Sequence, residues 1–149
     1  MKDKISIHQK KQALLAGVVL LALILGCAVY YLSHTKATDA FYNESLRGIP
    51  HLKNQTLVQG DMYEYGNGST GGTLSYFVED SSLNASKAAS YFQRHTDRER
   101  WTVEAVGSND KLTRQLQYTS ADKEVRSTTC ITISESEQGL VIQIQSYYE

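Results

Sequence analysis

VRSTTCITISESEQGLVIQIQSY, residues 125–147, decides the fold. In its first run (Val125 to Ser134), Val125, Thr129, Ile131 and Ile133 fall on one side, and Arg126, Thr128, Cys130 and Thr132 on the other. In its second (Leu140 to Tyr147), Leu140, Ile142 and Ile144 oppose Val141, Gln143, Gln145 and Tyr147. Successive side chains of a strand point to opposite faces, so this patterning predicts two strands, each apolar on one side. Glu137-Gln138-Gly139 between them is a hairpin-sized linker. Apolar character on one face only is the antiparallel habit, since parallel sheets are covered on both faces.

The same rhythm extends upstream. Leu112 to Tyr118 places Leu112, Leu116 and Tyr118 on one side, after the linker Ser108-Asn109-Asp110. Trp101 to Val106 alternates Trp101, Val103 and Ala105. Before them the period changes: Ala85, Ala88, Ala89, Phe92 and His95 recur at helical spacing and make one helix face. Ser82 is the expected N-cap, and the helix should end near Thr96, ahead of Asp97-Arg98-Glu99-Arg100. Thr73 to Glu79 and Thr56 to Glu64 read as two further strands, the latter bulged or at an edge because of Gly60. Gly66 to Gly72 between them is turn chemistry throughout. The predicted order is β-β-α-β-β-β-β. The predicted class is α+β, a curled antiparallel sheet packed on one helix.

A different signal precedes this domain. Ala13 to Leu32, ALLAGVVLLALILGCAVYYL, holds no charge and no Pro. Its 20 residues make a helix about 30 Å long, the thickness of a bilayer's hydrocarbon layer. Lys2, Lys4, Lys10 and Lys11 precede it, whereas His34, Lys36 and Asp39 follow. The lysine excess predicts a cytoplasmic tail at residues 1–12, a span at 13–32, a connector at 33–48 and an extracytoplasmic domain at 49–149. Within the connector, Asp39 to Leu46 could form a short helix stopped by Gly48 and Pro50. Ile24-Leu25-Gly26-Cys27 allows an alternative, a bacterial lipoprotein with Cys27 lipidated, and a secretory signal cleaved to free the domain is a third reading of the same segment. Against lipidation, Ala28 to Leu32 continues the apolar run, and Tyr30 and Tyr31 resemble interfacial aromatics.

Composition narrows function further. The chain carries 15 basic and 16 acidic residues, a net charge of −1, with no polybasic block beyond the first lysines. Phosphate binding needs concentrated positive charge, so nucleic acid is not an expected partner. Cys27 and Cys130 are the two cysteines, and a membrane-embedded Cys27 cannot reach Cys130. The domain must therefore be held by its core.

Ile49-Pro50, a strand, a Gly-rich turn, a second strand, a helix carrying Tyr91-Phe92, Trp101-Thr102-Val103 and a final Ile131-Thr132-Ile133-Ser134 segment resemble a group of small α+β domains. These occur on uncharacterised bacterial membrane-anchored proteins and lipoproteins. The resemblance spans residues 49–147, and Arg100 stands where many members carry Gly. It implies fold and location, and no shared activity.

Several candidate chemistries read more simply as structure. The 66–72 run has no Lys and leads into a strand, unlike a phosphate loop. His8, His34, His51 and His95 form no close pair, and no metal or cofactor is expected. Cys130 and His95 should point away from each other. Asn43, Asn54, Asn67 and Asn84 begin Asn-X-Ser/Thr sequons, glycan acceptors only in a eukaryotic secretory lumen. The polar side of the sheet is the expected binding surface: Gln115, Gln117, Arg126, Thr128, Thr132, Gln143, Gln145 and Tyr147. Tyr63, Tyr65 and Tyr148 could add an aromatic rim. The expected function is non-enzymatic, a membrane-anchored module contacting another envelope protein as an assembly factor, inhibitor or immunity-type protein. The alternatives are an envelope hydrolase using Asp61, Glu64 or His95, and a structural subunit of a membrane complex.

Overall fold

In the computed structural model, residues 7–80, 82–107, 111–124 and 126–149 are described. The chain divides into two compact units, Met1–Asp39 and Ala40–Glu149. Helix α1 runs over Ile7–Ser45. Its part in the first unit is long and apolar enough to cross a membrane, with a mean hydropathy of 2.5 over its most apolar window and none of that window buried by protein. Such an exposed apolar surface is disfavoured in water and is compatible with a transmembrane or signal segment.

Residues 33–48 depart from the expected connector. Instead of a separate short helix at Asp39 to Leu46, α1 is unbroken as far as Ser45. The polar residues there do not compete with the helix. The Ser33, Thr35 and Thr38 hydroxyls donate back to the carbonyls of Tyr30, Tyr31 and His34, each at 2.9 Å. The helix stops as expected ahead of Gly48, whose φ of 83° ends the turn.

The second unit is built on six strands: β1 (Gln55–Glu64), β2 (Thr70–Val78), β3 (Trp101–Val106), β4 (Thr113–Ser120), β5 (Ser127–Ser136) and β6 (Gly139–Tyr148). Helix α2 (Ala85–His95) lies between β2 and β3 in the chain. The strands form one open sheet in the order β1-β2-β6-β5-β4-β3, with antiparallel neighbours throughout. The element order matches the reading of the sequence. The 125–147 stretch forms the β5–β6 hairpin in the centre, with Ile131 opposite Ile144 and Ile133 opposite Ile142.

One sheet face is apolar. Leu74, Val78, Leu116, Tyr118, Ile131, Ile133, Leu140, Ile142 and Ile144 are all buried there. Ala85, Ala88, Ala89 and Phe92 of α2 close the core over β4 and β5. Burying each large side chain stabilises the fold by roughly 1.5–3 kcal/mol. A single helix is too narrow for the whole face. Six strands span about 24 Å, and a helix with its side chains is about 10 Å across. The last turns of α1 supply the remaining cover. Tyr42 and Leu46 are buried in the core, and the Tyr42 hydroxyl reaches the carbonyls of Asp61 and Thr73 on β1 and β2. The expectation of one covering helix is corrected accordingly.

Local boundaries also differ. Asn84, not Ser82, caps α2, its Oδ1 accepting from Lys87 N at 2.8 Å. Ser82 is held one turn earlier, where its N and Oγ donate to Asp80 Oδ1 at 2.9 and 2.6 Å. Those bonds hold the Asp80 carboxyl below its usual range, the hydroxyl bond contributing most. His95 is exposed and does not share the buried face of α2. Thr70, Gly71 and Gly72 belong to β2 and not to the turn. The irregularity of β1 falls between Leu57 and Gln59, not at Gly60. Leu112 precedes β4 and is 54% exposed, so it does not join Leu116 and Tyr118. Val125 and the Ser108-Asn109-Asp110 linker lie outside the described residues.

Candidate binding face

The uncovered side of the sheet is a grid whose rows follow from the register. Gln115, Thr132, Gln143 and Ser75 form one row across β4, β5, β6 and β2. The next is Gln117, Cys130, Gln145 and Thr73, and the third Thr119, Thr128, Tyr147 and Gly71. Seven of the eight residues anticipated from the sequence therefore share this face. Gln117, Gln143 and Gln145 are exposed, while Gln115, Thr128, Thr132 and Tyr147 are half-buried. Gln115 Nε2 lies 3.5 Å from Thr132 Oγ1, a marginal cross-strand bond. The eighth, Arg126, precedes β5 and falls off the grid. Its guanidinium, 82% exposed, lies 3.6 Å from Glu149 Oε2.

An aromatic corner borders the third row. Tyr63 and Tyr65 meet edge to face at 5.3 Å, and Tyr65 lies 5.7 Å from Tyr147. Tyr147 Oη reaches Ser69 Oγ at 3.0 Å and Glu149 Oε1 at 3.2 Å. Ser69 Oγ in turn donates to Asn67 Oδ1 at 2.5 Å. The Tyr63–Tyr65 hydrogen bond is the first cause of a Tyr65 phenol pKa above its ordinary value. Gly71 makes this corner possible. A Cβ built there would lie 2.6 Å from Tyr63 Cε2, so the bare glycine is where the ring rests. Tyr63 and Tyr65 were visible in the sequence as rim candidates, but the glycine that seats them read as a turn. Tyr148 has the opposite parity and lies on the other face, away from the rim.

The alternative chemistries are not assembled. Asp61 accepts from Gln59 Nε2 at 2.7 Å on edge strand β1, and Glu64 ends that strand. His95 stacks on Tyr91 at 4.3 Å, and the shallow cavity bordering it contains neither carboxylate. His51 Nδ1 is 2.9 Å from Gln55 Nε2. Cys130 is on the uncovered face, whereas α2, which carries His95, packs on the other. Among the described residues no group of three or more His, Cys, Asp or Glu is placed to hold a metal ion. Both cysteines are free, Cys27 exposed on α1 and Cys130 half-buried.

No protein-family model matches the chain, and no curated protein matches it significantly.

Proposed function

We propose that this protein is a single-span, membrane-tethered binding module whose uncovered sheet face contacts another protein of the cell envelope. The carrying observation is the asymmetry of the sheet. One face is covered over most of its width by α2 and the end of α1, and the other presents three exposed glutamines beside a tyrosine corner. Glutamine amides offer donors and acceptors, and tyrosines offer large contact area at low entropic cost. Antiparallel pairing holds both in register before any partner arrives, which reduces the ordering cost of binding.

The lysines at 2, 4, 10 and 11 support an orientation with the short tail in the cytoplasm and Ala40–Glu149 outside it. Helix α1 continuing past Cys27 to Ser45 supports an intact anchor over lipidation at Cys27. Tethering confines the module to the membrane surface and raises its effective concentration toward membrane partners. The test is co-purification from detergent-solubilised membranes with Gln143→Lys and Gln145→Lys. Loss of a partner that wild type retains is the expected result. Unchanged recovery by the double variant, folded by circular dichroism, contradicts the face as the contact. A Cys27→Ala chain that loses incorporation of labelled lipid would instead establish the lipoprotein form.

A further inference from the structure

The covered face of the sheet has an opening at one end, beyond the reach of α2. There Trp101 is paired with Ser120, and Ser127 with Tyr148, and the parity of all four is that of the core residues. They border a cleft of about 350 Å³ whose mouth carries charged side chains. Ser127 is 5% exposed, and its Oγ is the one buried side-chain polar atom without a hydrogen-bond partner among the described residues. An unmade bond at a buried hydroxyl is disfavoured, so such atoms mark places where a ligand can supply the bond.

The charges decide what kind of ligand. Glu44, Glu99 and Asp122 face one cation, Arg100. Arg100 Nη2 is committed to Glu44 Oε1 at 3.4 Å. Glu99 and Asp122 have no ion pair among the described residues. An anion would meet two uncompensated carboxylates, whereas a cation would be drawn in. Trp101 Nε1 already donates to Arg47 O at 2.8 Å, so its indole offers an apolar and π surface, as does the Tyr148 ring. Carboxylates, a free hydroxyl acceptor and aromatic rings together suit an ammonium group, which has three donors and no acceptor. We propose that this cleft binds a primary alkylammonium group, with Ser127 Oγ accepting one of its N–H bonds and Glu99 and Asp122 supplying the counter-charge. The site lies on the opposite side of the sheet from the glutamine face and does not depend on it.

Trp101 is the only tryptophan of the chain and reports on the cleft directly. The experiment is a fluorescence titration of the full chain in detergent micelles at fixed ionic strength. Putrescine is one probe, a short peptide with a single lysine and blocked termini the second, and inorganic phosphate the counter-probe. A saturable change with either amine supports the proposal, and their ranking separates a free amine from a lysine side chain of a partner. The Glu99→Gln/Asp122→Asn double variant should weaken amine binding about ten-fold. Ser127→Ala should weaken it several-fold while leaving the thermal midpoint unchanged or higher, because it removes an unpartnered group. Amine responses no different from those to sodium chloride, equal affinity in the double variant, or tighter binding of phosphate would each overturn the proposal.

Discussion

Gly71 and Gly72 are adjacent in β2 and face opposite sides of the sheet, and each is a contact point that a Cβ would obstruct. At Gly72 that atom would lie 2.7 Å from both Phe41 Cε1 and the Tyr42 hydroxyl, and 3.0 Å from the Asp61 carbonyl. Tyr42 is buried and the carbonyl is backbone, so neither can move aside cheaply. Gly72→Ala should destabilise the fold by about 1–3 kcal/mol in chemical denaturation. Gly71→Ala meets the end of the half-exposed Tyr63 ring, which can swing outward, and should cost less than about 1 kcal/mol. Equal costs would mean that α1 does not lock onto β2 as described. Three tyrosines packed in or against the core add a pH signature, among them buried Tyr42, whose phenol is pushed up to about 12 by burial. Burial raises the phenol of Tyr118, partly offset by the Thr96 hydroxyl and Arg98, and burial alone raises that of Tyr76. The unfolded chain then releases these protons first. Their stabilisation is complete below about pH 10 and is lost as pH climbs through the raised folded values. Tyr118→Phe should flatten this alkaline loss when denaturation midpoints are compared at about pH 9 and about pH 11.

At the scale of elements, α2 is held at its start from two directions. Asn84 Oδ1 accepts from Lys87 N, and Glu135 Oε1 on β5 accepts from Ala85 N at 2.9 Å, placing a carboxylate at the positive end of the helix. Asn84→Ala should cost about 1 kcal/mol and speed hydrogen exchange in the first turn of α2, whereas Ser82→Ala should leave that turn protected. The reverse pattern would restore Ser82 as the cap. The central hairpin was legible in the sequence because alternation from Thr128 to Tyr147 is nearly uninterrupted, and a period of two needs no knowledge of partners. The strand state of Gly71 and Gly72 was not legible, because it depends on Tyr63 across the ladder and on Phe41 and Tyr42 some 30 positions away in the chain. Helix α1 runs on past Leu32 with its Ser and Thr hydroxyls bonded back to the preceding turn, a continuation that composition alone leaves open. The glutamine face followed from parity. The cleft around Ser127 did not, since its walls come from segments far apart in the sequence.

For the whole molecule, one apolar helix and one half-covered sheet define the account. Protease added outside spheroplasts should digest the Ala40–Glu149 unit and leave an N-terminal epitope tag protected. Cleavage at the tag alone would reverse the proposed orientation. The most direct test of the central claim is site-specific photo-crosslinking in intact cells. A photoreactive residue at Gln145, on the exposed grid, is compared with one at Ser86, on the exposed side of α2. The expected result is a discrete adduct from position 145 that is absent from position 86. Adducts of equal yield from both positions, or from position 86 alone, would contradict it.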